Sequence, residues 1–312
     1  MDAALHTAAI PRDYLTSGDE NPYGYVPTHW IAILFLVLFG LSTAAHSGQA
    51  ICYKLKIFVF AVICGIMEII GWVGRVWSSR NPLNGTPFNM QLEMTIIGPT
   101  FLTVVYFKYF ESLVNILGPS YSRIRPHLYH SFFLGCDILS LLLQVLGGSI
   151  ATSGDSQEES SVGDWIMFVG IVIQFVSLTV YLILATEFFL RYYNDRPIKQ
   201  QGDSEKSPES PSTGRGTLTP RLFALSGALI FGSLCLFIRC VYRAIEIGAR
   251  FESRFSHTQV YFNVLEGTMI VLAMVTLNIL HPGVLLLSLP HVVQISSPAS
   301  ANSDPEKPDR PS

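Results

Sequence analysis

The chain has 312 residues, of which 49% are hydrophobic and only 14% charged, where an ordinary soluble domain has roughly 25% charged. That balance points to a membrane as the solvent, and a net charge of −3 argues against nucleic acid as a partner. Of the five cysteines, Cys64, Cys136, Cys235 and Cys240 sit in apolar runs and Cys52 in a short basic loop, so neither a disulfide nor a metal site is expected.

Residues 1–27 are polar and acidic, with no short apolar run behind a basic start. A cleavable signal peptide is therefore not expected, and the first apolar segment has to target the chain and remain in the bilayer. A helix needs about 20 mostly apolar residues to cross a hydrocarbon core roughly 30 Å thick. Seven segments qualify: Thr28–His46, Ile57–Trp77, Met94–Leu117, Leu128–Ile150, Val162–Leu190, Leu222–Glu246 and Val260–Leu289. The fifth and seventh are long enough to tilt or to extend past the membrane. The runs lack the two-residue alternation of a transmembrane barrel, and helices satisfy their own backbone in lipid, so the predicted fold is all-α. In the first segment Gly40, Ala44 and Gly48 recur every fourth residue and read as a packing stripe. Asn84-Gly85-Thr86, after the second, has the form of a glycosylation acceptor, though Pro87 and a short loop count against its use.

The loop at about 200–220 and the tail 290–312 are rich in Ser, Pro and charge and are expected to be disordered. Ser207, Ser210 and Thr219 each precede a proline and are candidates for phosphorylation, the plainer reading being a tolerated linker. Connections on one side of the seven segments hold twelve Lys or Arg, against four on the other: Arg12, Arg80, Arg250 and Arg254. The richer side is expected to face the cytosol, which places residues 1–27 outside and the C-terminal tail inside.

Ionised groups at the centre of a membrane helix cost about 2.5–3.5 kcal/mol on insertion scales, so they face the bundle interior and mark function or pairing. Glu68 and Asp137 lie near the middle of the second and fourth segments. Arg75 follows Glu68 by seven residues and Gln144 follows Asp137 by seven, each pair on one helical face. Arg239, Arg243 and Glu246 form one stripe on the sixth segment, and the seventh carries Glu266. These eight residues are either ion pairs that hold helices in register or a polar path for a charged cargo. Lys108, Glu111 and Glu187 lie toward the other half of the membrane. There is no Gly-rich phosphate loop with Lys-Ser or Lys-Thr and no Gly-x-Ser-x-Gly elbow, so no enzyme activity or cofactor is expected. His127, His130, His46 and His281 could in principle assemble a zinc site with Asp137, but interface histidines are the commoner case.

From Tyr23 to Gly283 the chain resembles the fungal lipid-translocating exporters, the RTA-like seven-helix proteins. The motifs that carry this are Tyr23-Gly24-Tyr25-Val26-Pro27, Leu41-Ser42-Thr43-Ala44-Ala45-His46, Met67-Glu68-Ile69-Ile70-Gly71-Trp72-Val73-Gly74-Arg75, Asp137 with Gln144 and Gly147-Gly148, Arg239-Cys240-Val241-Tyr242-Arg243-Ala244-Ile245-Glu246, and His281-Pro282-Gly283. The resemblance implies outward movement of sphingoid bases, aminosterol resistance, or handling of other amphipathic toxins, porphyrins or secondary metabolites. Many members have a His-Glu pair where this chain has His257-Thr258, and often Asp where it has Glu266. The expectation is a transporter or floppase for an amphipathic lipid or metabolite, in the plasma membrane or an endomembrane. In it Glu68, Asp137 and Glu266 receive a basic head or relay protons, while Arg75, Arg239 and Arg243 pair with them or meet anionic cargo. The rival is a seven-helix receptor or regulator that senses lipid.

Overall fold

The computed structural model describes residues 21, 23–153, 157–198, 216–248 and 258–287. Most of the loop at 200–220, the tail 290–312, Arg250, Arg254 and His257 lie outside them. Among the described residues there is no strand, and seven helices are long and apolar enough to cross a membrane. They are α1 His29–Tyr53, α2 Phe58–Ser78, α3 Gly85–Leu117, α4 Pro126–Ser153, α5 Gln157–Tyr193, α6 Pro220–Gly248 and α7 Gln259–Leu285. The protein is an all-α, multi-pass membrane protein. Successive helices alternate in direction, so one end of the bundle (the N-face) carries Tyr23, the α2–α3 connection and the α4–α5 connection. The opposite end is the C-face.

The spans differ from the hydropathy reading mainly at helix ends. Helix α3 begins at Gly85, nine residues before the apolar run. The Asn84 side chain caps it by accepting from the Thr86 backbone N–H at 3.0 Å. The added turns are partly polar, but Gln91 is buried against protein and does not meet lipid. The glycosylation motif thus straddles a helix start, with Thr86 already helical. Thr219 likewise caps α6, its hydroxyl accepting from Leu222 N–H at 3.3 Å.

The seventh span is not one regular helix. Phe262–Thr268 forms a π-helical turn, and the chain breaks at Leu280 before the short helix Pro282–Leu287. Pro282 explains the break, since it has no N–H to donate and disfavours helical geometry at His281.

Helices pack in chain order around a ring, which α1 and α7 close through polar contacts. Thr28 Oγ1 donates to Gln259 Oε1 at 3.0 Å, Asn278 Nδ2 to Ser42 Oγ at 2.6 Å, and His46 Nε2 meets the Met274 carbonyl at 3.2 Å. Helix α3 is the centre, touching α2, α4 and α6. Toward the C-face the core is aromatic, with Phe110 edge-on to Tyr129 at 4.9 Å and Phe107 against Tyr181 at 4.7 Å. Toward the N-face it is charged.

Small residues set the closest helix approach, but not where the sequence reading put it. A Cβ at Gly40 or Gly48 would meet nothing within 4 Å, and Ala44 is exposed, so the α1 stripe faces outward. The tight contact joins α4 to α5. A Cβ on Gly147 would run into the backbone of Met167 and Gly163, and one on Gly163 into the backbone of Ala151. Periodicity identifies a stripe of small residues; it does not tell whether lipid or protein lies against it.

Candidate functional site

The charged half of the core is built on α2, α3, α6 and α7. On α6, the spacing of Arg239, Arg243 and Glu246 puts all three on one face, and all are buried. Glu266, on the π-helical turn of α7, accepts from both arginines: Arg239 Nε at 3.0 Å on one oxygen and Arg243 Nε at 2.9 Å on the other. Arg243 Nη1 also donates to Glu246 at 2.6 Å, and Tyr242 donates to the second oxygen of Glu246 at 2.9 Å. Two arginines and two glutamates therefore form a charge-balanced quartet, buried at all four positions.

Helix α3 completes this quartet through a proline. Pro99 has no N–H, so the Thr95 carbonyl one turn earlier loses its intrahelical donor. Arg239 Nη2 takes that place at 2.7 Å, and Arg243 Nη2 donates to the Thr95 hydroxyl at 2.6 Å. A helix interruption inside the membrane is thereby turned into an anchor for two guanidinium groups.

Arg75 is buried and, among the described residues, no carboxylate pairs with it. It donates to Gln91 Oε1 at 3.0 Å and to the Tyr25 hydroxyl at 2.9 Å, and its guanidinium lies 4.3 Å from the Phe262 ring centroid. The same ring lies 5.6 Å from the Arg243 guanidinium, so Phe262 touches both cationic groups. The Tyr23 hydroxyl sits 2.9 Å from both Ser78 Oγ and Gln91 Oε1. Burial pushes that hydroxyl up to about 12, so it stays protonated at neutral pH. The segment before α1 is thus part of the core and not only a polar extension.

Glu68 has no exposed surface, and among the described residues no arginine or hydroxyl bonds its carboxyl; the Trp72 indole N–H faces it without closing a well-formed hydrogen bond. Glu68 lies against α3 where a Cβ on Gly98 would come within 3.2 Å of its Oε1. The expected pairing of Glu68 with an arginine is not seen: Arg239 and Arg243 are taken by Glu246 and Glu266, and Arg75 by neutral groups.

Asp137 belongs to a second polar group, between α3, α4 and α5. Its partner is the Thr103 hydroxyl, not an arginine. One and two turns on, Ser140 donates to the Gly170 carbonyl at 2.7 Å, and Gln144 donates to Ser140 and, at 3.2 Å, to Gln174, which reaches Thr100 at 3.3 Å. The eight sequence-derived residues are therefore all buried, but in two clusters. Tyr23, Tyr25, Gln91, Thr95, Thr103 and Gln174 were missed. Gly98-Pro99 inside an apolar run was the one available signal for the α3 anchor. As for zinc, among the described residues no three His, Cys, Asp or Glu side chains converge as a metal ion would require. His46 and His281 instead flank Phe58, at 5.6 and 4.2 Å between ring centroids.

The chain is 27% identical to the sphingoid long-chain base transporter of Saccharomyces cerevisiae, over 88% of this chain and 77% of the relative. It is 22% identical to the Emericella nidulans protein named "Probable lipid transporter", over 86% and 70% of the two chains. It is 21% identical to a protoporphyrin uptake protein of Saccharomyces cerevisiae, over 82% and 90%. No solved structure matches. The RTA1-like protein family matches residues 61–288, well over half of the sequence and every charged core residue above, and the chain belongs to that family.

Proposed function

We propose that the chain moves an amphipathic molecule with a basic head outward across the membrane, as an exporter or floppase that confers resistance to sphingoid bases, sterol-like toxins or similar metabolites. The observation that carries this reading is Glu68, a carboxyl sealed in the bundle that no described cation pairs and only the Trp72 indole faces. An unpaired buried carboxylate is costly, and an ammonium head or a proton arriving beside it relieves that cost. Asp137, held by a single hydroxyl, is the second acceptor on the path. The names of the relatives support lipid as the cargo class. In this reading the N-face is outside, the protein resides in the plasma membrane, and uphill export draws on an ion gradient or a partner.

The test is transbilayer movement of a fluorescent sphingoid base in liposomes containing the purified chain. Wild type should accelerate it, and Glu68→Gln should insert normally yet leave only the protein-free rate. A wild-type rate equal to that of empty liposomes would sink the transport reading in favour of a lipid sensor. Tags at residue 3 and near Gln157 should be reached from outside intact cells and one near Ser210 should not; the reverse pattern would invert the orientation.

A further inference from the structure

A groove of about 760 Å³ opens between α5 and α6 toward the C-face, and no residue of the two buried polar clusters lines it. Its α5 wall runs from Thr179 to Arg191, about 18 Å of helix. The end nearer the membrane centre is closed by Phe237, stacked on Phe175 of α5 at 5.6 Å between ring centroids. Along its length it is open sideways to the membrane, since Ile183, Leu190 and Leu234 line it and are exposed on the bundle surface. The mouth at the C-face is cationic. Glu187 in the wall is bonded by both Arg191, at 2.7 Å, and Arg123, at 2.6 Å. Arg196 and Asn194 also line the mouth, and among the described residues neither side chain has a hydrogen-bond partner. A fixed turn places them there. Asp195 is left-handed at φ 49°, its carboxylate accepts from the Tyr121 hydroxyl at 2.6 Å, and Arg196 N–H donates to the Arg191 carbonyl at 3.0 Å. Three arginines thus gather around one glutamate at the mouth, and Asp195 does not line it.

From this we infer that the groove holds an anionic two-chain phospholipid as a resident ligand, its phosphate at Arg191 and Arg196 and one acyl chain along α5 and α6. A guanidinium has five donors, and Arg191 directs only Nε and Nη2 to Glu187. The remaining donors, with those of Arg196, suit the oxygens of a phosphate. The volume lies within the roughly 300–1,000 Å³ of small-molecule pockets, and its apolar length takes an extended acyl chain, with the second chain left in the bilayer. The excess of positive charge repels an ammonium head, so the occupant is not the basic cargo proposed above, and a zwitterionic choline lipid fits less well than one of net negative charge. The inference does not rest on the transport reading. With the N-face outside, the mouth meets the cytosolic leaflet, where anionic lipids give the surface its negative potential.

The experiment uses the purified full chain in detergent micelles with a trace of phosphatidylglycerol that carries a diazirine in one acyl chain. Unlabelled phosphatidylglycerol or phosphatidylcholine of the same chains competes for the photolabelled site. On wild type the label should map to α5 and α6 around Ile183 and Leu234, and phosphatidylglycerol should compete at least about tenfold better than phosphatidylcholine. Arg196→Gln should lower that ratio about fivefold, the share of one arginine beside a lipid phosphate, and Arg191→Gln added to it should bring the ratio to about one. Ile183→Trp should abolish labelling in the groove with the arginines in place, since Ile183 is exposed and a larger ring there fills the groove without crowding the core. If the double variant does not fold, Arg196→Gln alone and Ile183→Trp decide. A wild type without the preference, as for lipid that only surrounds the bundle, or an Arg196→Gln protein that keeps it in full, overturns the site. So does competition by free glycerol phosphate, which would make the mouth a site for a soluble anion. Sphingoid-base flux in liposomes is scored separately, so loss of this site and failure of the transport reading are told apart.

Discussion

Replacing Glu266 by glutamine keeps the volume of the side chain and removes its charge, and the geometry of the quartet sets the cost. Both carboxylate oxygens are engaged, one by Arg239 and one by Arg243. The amide that replaces one oxygen would point donors at a donor, and two buried arginines would share one remaining glutamate. Breaking a buried pair typically costs about 3–5 kcal/mol. The lower end applies here, because Arg239 keeps the Thr95 carbonyl and Arg243 keeps Glu246 and the Thr95 hydroxyl. A loss of about 3 kcal/mol corresponds to a fall of roughly 5 °C in melting temperature, because an unfolding entropy of about 2 cal/mol/K per residue sums to about 0.65 kcal/mol/K over 312 residues. Glu68→Gln is the control from the same cluster. Glutamine keeps an oxygen for the Trp72 indole N–H and removes a buried carboxyl that no described cation pairs, so its melting temperature should equal or exceed wild type. Both are read by thermal unfolding of the purified protein and by its level in membranes. A Glu266→Gln protein that melts with wild type, or a Glu68→Gln protein that melts well below it, refutes the division into a structural and a functional carboxylate.

Pro99→Ala restores an N–H that competes with Arg239 for the Thr95 carbonyl. The helical gain of about 3 kcal/mol offsets the loss of a charge-assisted bond worth about 1.5–3 kcal/mol, so stability should hardly move while liposome flux falls. Gly163→Leu should prevent accumulation of folded protein, because α4 and α5 approach there backbone to backbone, whereas Gly40→Leu should accumulate as wild type does. Tyr23→Phe should cost about 1 kcal/mol at neutral pH, one net hydrogen bond, read as a lower melting temperature. Its pH dependence has a definite sign. The Tyr23 hydroxyl is pushed from 10.0 up to about 12 in the folded protein. The folded state therefore holds that proton longer than the unfolded one, and stability falls as pH rises from 10 toward 12. The phenylalanine variant should show a shallower fall over that window.

Hydropathy made the seven spans legible because lipid demands about twenty apolar residues wherever a helix crosses. It could not locate the start of α3, where Gln91 faces protein and polarity carries no penalty. Nor could it locate the π-helical turn at Phe262–Thr268, which has no compositional mark. The buried charges stood out singly, since the bilayer excludes them. Their partners did not, because Arg239 and Glu266 meet across two helices at 3.0 Å and helical spacing reports only one helix at a time. The Thr95 carbonyl is a backbone group and invisible to any reading of side chains, although Pro99 marked it indirectly.

The quartet of Arg239, Arg243, Glu246 and Glu266 carries two positive and two negative charges. Shifted as one body through the thickness of the bilayer, it performs no electrical work, whatever the membrane voltage. A cargo ammonium enjoys no such cancellation: each elementary charge moved across the full potential involves about 2.3 kcal/mol per 100 mV. In the proposed transport reading, outward passage of a cation against an inside-negative voltage is opposed by its own charge, and the quartet adds nothing to the electrical load. A proton taken up by Glu68 on the return stroke would travel with the field, so one carboxylate outside the balanced quartet is sufficient to offset the charge of one amine.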